Sequence, residues 1–135
     1  MGYWGVKSYE NDDAGDALDA GFDRVHGSAY EDLMDDRNAM TVDQVHKKLA
    51  NPDTLAASLA WLGDEFGDDQ ETWDEIARLA FVGVVVRHKE MGVPIPEESR
   101  LRALNWLQTE DIDWEEETLR GLRRQREIAL LGGPA

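Results

Sequence analysis

The chain has no cysteine among its 135 residues. That removes disulfides, thiol nucleophiles, iron–sulfur clusters and cysteine-ligated zinc from its chemistry. It has no uncharged stretch of 18 residues, so a conventional membrane-spanning helix is not expected. It is also poor in bases: 14 lysines and arginines face 29 aspartates and glutamates, a formal net charge of −15. The imbalance is spread along the chain, with 14 acids and 5 bases in residues 1–67 and 15 acids and 9 bases in residues 68–135. A surface of that sign repels nucleic-acid phosphates and anionic lipid, so neither is expected as a partner. It suits a basic protein partner, divalent cations, or solubility in a concentrated or salty environment.

Nucleophiles are scarce. Only Ser8, Ser28, Ser58 and Ser99 are present, none in a nucleophile-elbow setting,. Ser28 follows His26 closely, in a place that reads as a helix boundary. There is no Walker-type phosphate loop and no dinucleotide fingerprint. The opening residues lack a basic and then apolar leader, and Val6 stands where a myristoylation signal beginning at Gly2 wants Ser or Thr,. A cytoplasmic protein is therefore expected.

What the chain does contain is helical periodicity. Its length predicts a single domain over residues 1–135, one that buries roughly two-thirds of its extended surface. Ala14, Leu18, Gly21, Phe22 and Val25 share a face, joined by Ala17, and predict a first helix over residues 12–26 capped by Asn11 or Asp12,. Gly27-Ser28 restarts a shorter helix with Tyr30, Leu33 and Met34. Thr41-Val-Asp-Gln44 has capping-box spacing ahead of Val42, Val45 and Leu49,. Asn51-Pro52 opens a helix carrying Leu55, Leu59, Leu62 and Phe66, which should stop near Gly67,.

Trp73, Ile76, Ala77, Ala80, Phe81, Val84 and His88 then follow helical spacing from a start near Asp69. Val82, Val85 and Val86 add a second apolar face, so this helix should be surrounded at its middle,. Taken alone, the FVGVVV run also suits a buried strand. The periodic flanks and Gly92 favour one long helix. Pro94-Ile-Pro96 leads into a helix with Leu101, Leu104 and Leu107. Asp113-Trp-Glu-Glu116 offers a cap for a last helix with Leu119, Leu122 and Ala129. Gly132-Gly-Pro-Ala135 should fray. The expected fold class is all-α, an irregular bundle of about six helices with an extended N-terminal segment packed against it.

The candidate chemistry is metal binding. Asp23-Arg-Val-His26 and Asp43-Gln-Val-His46 each place a carboxylate three residues before an imidazole, on one helical face. Such pairs on facing helices suit zinc, manganese or iron, although the usual helical di-metal pattern uses Glu rather than the shorter Asp. The same spacing equally suits surface pairs and caps. Asp12 and Asp16, with Asp13 and Asp19, form the densest acidic run. It lacks a calcium-loop pattern, and its like-charge repulsion of roughly 0.2–0.5 kcal/mol per pair is tolerable in water without a metal. His88 extends an apolar stripe near a helix C-terminus, where a packed or capping role is expected.

No cofactor is expected, with a divalent metal as the alternative. Of the tryptophans, Trp73, Trp106 and Trp114 are expected to wedge helices together. Core packing is expected of Trp61 as well, although it lies off the leucine face of its helix and its exposure would mark a partner surface,.

The opening MGYWG followed by YENDDAGD resembles the start of an uncharacterised bacterial domain family. Its members begin Met-Gly-x-Trp-Gly, followed by an aromatic, acidic and amide residues and an Ala-x-Asp ending. The matching positions are Gly2, Trp4, Gly5, Tyr9, Glu10, Asn11, Asp12, Asp13, Ala14 and Asp16, with Tyr9 where phenylalanine is common. The resemblance covers about the first 20 residues and carries no activity, but it implies that the opener is a unit. Trp4 and Tyr9 are expected to fold back as a plug, with Gly2 and Gly5 permitting close backbone approach. The segment containing Trp4, Tyr9, Glu10, Asn11, Asp12 and Asp13 doubles as a candidate recognition segment.

The leading functional expectation is a non-enzymatic protein that binds another protein, basic in character. A metal-dependent hydrolase using the Asp/His pairs is the first alternative. A structural or solubility-related role without a specific ligand is the second.

Overall fold

The computed structural model describes residues 4–132, so Gly2, Tyr3 and the fraying expected of 133–135 lie outside the described residues. Seven α-helices occur among the described residues, with no strand. They are α1 (Asp12–His26), α2 (Ser28–Met34), α3 (Val42–Leu49), α4 (Pro52–Phe66), α5 (Glu75–Glu90), α6 (Glu97–Gln108) and α7 (Glu117–Leu130). The fold is an all-α bundle.

Local chemistry accounts for most boundaries. Asn11 caps α1 by accepting the Ala14 N–H, and Thr41–Gln44 closes a reciprocal capping box on α3. Asn51 and Thr54 do the same on α4, where Pro52 occupies the first turn,. Two boundaries differ from the sequence expectation. α5 begins at Glu75 under the Asp74 cap, because a 3-10 turn over Gln70–Thr72 ends at Trp73, whose indole N–H bonds the Gly67 carbonyl at 2.9 Å. α7 begins at Glu117 without a side-chain cap, so Asp113 does not serve as one.

α5 is the axis of the bundle. Every residue from 81 to 88 is buried, and α1, α4, α6 and α7 all pack on it. The FVGVVV run is therefore helix, valine's strand preference being overridden by enclosure on all sides. Phe66, Trp73, Phe81 and Trp106 pack ring on ring at one end, with Phe81 edge-on to Trp106 at 5.1 Å. Trp61 is half-buried against the same core.

Two glycines set how closely the layers approach. A Cβ at Gly21 would lie 2.7 Å from the Ser58 backbone nitrogen, so α1 crosses α4 nearly in backbone contact. A Cβ at Gly83 would lie 2.4 Å from the Ser8 carbonyl oxygen, so the N-terminal segment lies directly on α5.

The face of α7 overturns a periodicity reading. Leu119 and Leu122 are exposed, as is Ala129, while Arg120 and Glu127 are buried. Leu101 of α6 and Val42 of α3 are also exposed, although Leu104, Leu107 and Val45 point inward as expected. On α7 the ionic side chains face inward because they hold the N-terminal segment.

Candidate functional site

The segment before α1 is fastened by a buried ionic cluster. Arg120 uses all five of its donors: Nε and Nη2 to the two oxygens of Glu110, Nη1 to the Val6 carbonyl and Glu127 Oε1, and Nη2 again to Ser8 Oγ. Glu127 is equally saturated. It accepts from the Ser8 N–H at 3.0 Å, the Ser8 hydroxyl at 2.5 Å, Arg120 at 2.9 Å and Arg123 Nε at 3.1 Å. A carboxylate offers about four acceptor positions and a guanidinium five donors, so neither group carries an unmet bond into the interior. Arg123 continues the network to Glu90 at 3.2 Å.

Ser8 is fully buried, and its hydroxyl is committed to this cluster rather than offered to a substrate. The Asn11 side chain bonds the Ser8 carbonyl at 2.7 Å while capping α1, so one residue ties the segment to the helix that follows.

Two clefts flank the fastened segment. The first, about 410 Å³, opens between the segment, α1, α2 and α3. Trp4, Tyr9, Tyr30, Met34, Val42 and His46 line it, with charged groups from Lys7, Glu10, Asp19, Asp43 and Arg87. Most of these charges have a partner in the chain. Arg87 bonds Asp43 at 2.6 Å, Lys47 reaches the same carboxylate at 3.0 Å, and Tyr30 donates to Asp19 at 2.6 Å. The Arg87 hydrogen bond, and then that of Lys47, holds the Asp43 carboxyl below its ordinary range.

Burial raises the Tyr30 phenol, reinforced by its bond to Asp19, and burial with the nearby Glu90 raises that of Tyr9. The guanidiniums of Arg87 and Arg123 lie over the Tyr9 ring, at 5.3 and 5.9 Å. Tyr9 thus joins the buried cluster to the cleft. Burial pushes the His46 imidazole down to about 4, with further opposition from Arg87 and His88. His46 is consequently neutral near pH 7, packed 4.6 Å from Phe22.

The second cleft, about 520 Å³, lies between the segment and the connection from α6 to α7. Trp4 and Trp114 line it with Asp113, Glu115 and Glu116. Trp114 donates its indole N–H to Glu110 at 3.1 Å, and the Arg120 guanidinium lies 4.8 Å from its ring centroid. Trp4 borders both clefts and is 60% exposed, so the expectation that it plugs the bundle is corrected. Its backbone N–H donates to the Glu10 backbone carbonyl at 3.0 Å, and its ring edge lies across α1 near Gly15. The place it was expected to fill is taken by the Ser8 backbone against Gly83, with half-buried Tyr9 beside it.

The residues singled out for metal binding do not converge. His26 donates Nε2–H to the Leu49 carbonyl at 2.7 Å, Asp43 is paired with Arg87 and Lys47, and Asp23 is exposed. Among the described residues no three His, Asp or Glu side chains form a group able to hold a metal ion. Asp12 and Asp16 are exposed on α1. The neighbouring Asp13 carboxyl is raised by burial and then by Asp16 and Asp12. His88 is a packed residue: its Nδ1–H donates to the Val84 carbonyl at 2.9 Å, and Nε2 meets the Thr54 hydroxyl at 2.9 Å.

Of the candidate recognition segment, Trp4, Tyr9 and Glu10 line the first cleft, whereas Asn11 is a buried cap. Arg120, Glu127 and Glu110 went unnoticed in the sequence. The available signal was an Arg and a Glu seven residues apart, which places both on one face of a helix.

Comparison of the chain with protein-family models, with curated proteins and with solved structures finds no match.

Proposed function

We propose that this protein acts by binding another protein through Trp4 and the two clefts on either side of it. One observation carries the reading: the most exposed tryptophan stands on a backbone fastened by fully buried groups, with Ser8 and Glu127 each 0% exposed. An aromatic anchor on an immobile backbone loses little freedom when it is covered, which is the economy that makes tryptophan frequent at the centres of interfaces. The first cleft offers apolar contact at Met34, Val42 and Tyr30 for a partner's apolar side chain. The net charge of −15 steers encounter toward a basic partner,. No catalytic residue is assigned. The bacterial setting implied by the resemblance of the opening segment, and a cytoplasmic one, belong to the same proposal.

The test compares capture by the immobilised protein with capture by Trp4→Ala and Val42→Asp. A partner is then purified and its affinity measured by calorimetry. Trp4→Ala should weaken binding by about 2 kcal/mol, roughly 30-fold. Its cost in folding stability should be about 1 kcal/mol, well below the 3–5 kcal/mol of a buried tryptophan. Retention of every captured protein by both variants, or robust turnover on a small-molecule panel with no partner found, would overturn the reading.

A further inference from the structure

We infer that the first cleft, the one bounded by α1, α2 and α3, receives a tyrosine side chain of the partner protein. This rests on the protein-binding reading and names the side chain which that reading brings to the cleft: apolar along its ring and polar at its tip. Val42, Asp43 and His46 of α3 all line the cleft, as their spacing of three and four residues on one helical face allows,. His46 is only 8% exposed, yet neither of its ring nitrogens makes a hydrogen bond among the described residues. Neither is sealed in the interior, since the unbonded side-chain nitrogens that are sealed there belong to Arg78 and Arg124. The imidazole is held by Phe22, 4.6 Å away, and by the Tyr30 ring stacked at 6.5 Å. A buried polar group fixed in place without a bond costs free energy until something bonds it.

Arg87 adds donors to the same wall. It too is 8% exposed, and it commits Nη2 alone to a hydrogen bond, the one to Asp43 at 2.6 Å. That bond fixes the guanidinium and leaves its other N–H groups unspent. Arg87 stands near enough to His46 to oppose its protonation, so the imidazole is neutral and offers one donor and one acceptor,. The matching group must therefore both give and accept a hydrogen bond. A phenylalanine does neither, an indole only donates and a carboxylate only accepts. An anion would also face Glu10, Asp19 and Asp43, and a cation would face Lys7 and Arg87. A phenol does both and stays uncharged near pH 7. Leu18, Tyr30 and Met34 supply the contact for its ring, and a cleft of about 410 Å³ holds it with room to spare.

The experiment follows the ring resonances of His46 and the backbone amides of residues 42–46 in the isotope-labelled full chain, with the rings of His26 and His88 as internal references. The probes are N-acetyl-tyrosine-amide, the matching phenylalanine and leucine compounds, and N-acetyl-phosphotyrosine-amide. Tyrosine should shift the His46 resonances saturably and leave His26 and His88 in place. Phenylalanine should bind about ten-fold more weakly, the worth of one hydrogen bond to a buried group, and phosphotyrosine more weakly still. In His46→Leu the tyrosine and phenylalanine compounds should bind alike. Should that variant fail to fold, the comparison of the two compounds on the unaltered protein decides by itself.

Equal binding of tyrosine and phenylalanine to the unaltered protein, or no shift at His46 with either, overturns the assignment. Tighter binding of phosphotyrosine than of tyrosine overturns it in favour of an anion site built on Lys7 and Arg87. If the cleft is silent to every probe while partner capture still depends on Trp4 and Val42, only the tyrosine assignment falls. If no captured protein depends on Trp4 or Val42, the protein-binding reading falls and takes the assignment to a partner side chain with it.

Discussion

Glu127 is the single residue on which the N-terminal segment depends most. Replacing it with alanine leaves Arg120, Arg123 and the Ser8 N–H without their shared acceptor in a fully buried place. Glu127→Ala should therefore destabilise the fold by about 3–5 kcal/mol, read as a lower urea midpoint, with faster amide exchange at residues 6–10. A change under 1 kcal/mol, on the scale of a surface ion pair, would show that the cluster fastens nothing.

The two buried histidines give a second prediction. Both have folded-state values of about 4 against an ordinary 6.5, through burial first and the Arg87 charge as a further cause. The unfolded chain takes up their protons first as pH falls, so their contribution is complete above about pH 6.5 and is lost between there and pH 4. Charges facing His46 include Asp43 and Asp19, which moderate the shift without reversing it. Unfolding free energy at pH 5 should lie below that at pH 7.5 by about 2 kcal/mol per histidine. His46→Leu should halve the slope, and a flat profile would contradict the burial of both rings.

Helices show how the same substitution changes sign with its surroundings. Gly121 sits inside α7, where a Cβ would meet nothing within 4 Å. Gly121→Ala should stabilise the protein by about 0.5–1 kcal/mol through helix propensity. Gly83 also sits inside a helix, but its missing Cβ is the space occupied by the Ser8 carbonyl. Gly83→Ala should cost about 1–3 kcal/mol or more, because the obstacle is backbone and the displaced segment carries the Ser8 bonds with it. Thermal unfolding of the two variants side by side tests both, and equal shifts would remove the close approach on which the segment's position depends.

Helix existence was legible because caps and stripes are local: Asn11, Thr41 and Asn51 act on atoms three residues away. The orientation of α7 was not. Leu119, Leu122 and Ala129 form a respectable apolar set, and nothing within the helix says that Arg120 will find Glu110, ten residues earlier, and the Val6 carbonyl, 114 residues earlier.

At the scale of the molecule, the net charge of −15 acts on every packing contact at once. Carboxylates crowd even where a helix dipole welcomes them: Asp13, in the first turn of α1, is raised by its burial, by Asp16 and Asp12, and by Asp74 and Glu65 across the packing. Salt shortens the reach of this repulsion to about 10 Å at 0.1 M, while the buried pairs of Arg120 are screened much less. Raising sodium chloride from low to physiological concentration should therefore increase the melting temperature by a few degrees. A decrease would mean that exposed pairs such as Arg37–Asp35 and Lys47–Asp43 outweigh the self-repulsion. No helix among the described residues is long and apolar enough to cross a membrane.

Residue types and their spacing were enough for the all-α class, the first four helices and the enclosure of the valine-rich axis, since hydrogen bonds at caps and the 3.6-residue period act over a few positions. Which part of the opening segment goes inward was decided only by the tertiary structure. The backbone of Ser8 fits the gap at Gly83, and a guanidinium and carboxylate from the far end of the chain meet it there. That leaves Trp4, the residue that looked most like a plug, at the surface between two clefts. Burial goes to the group whose polar bonds and shape are matched from every side, and those matches come from residues more than a hundred positions away.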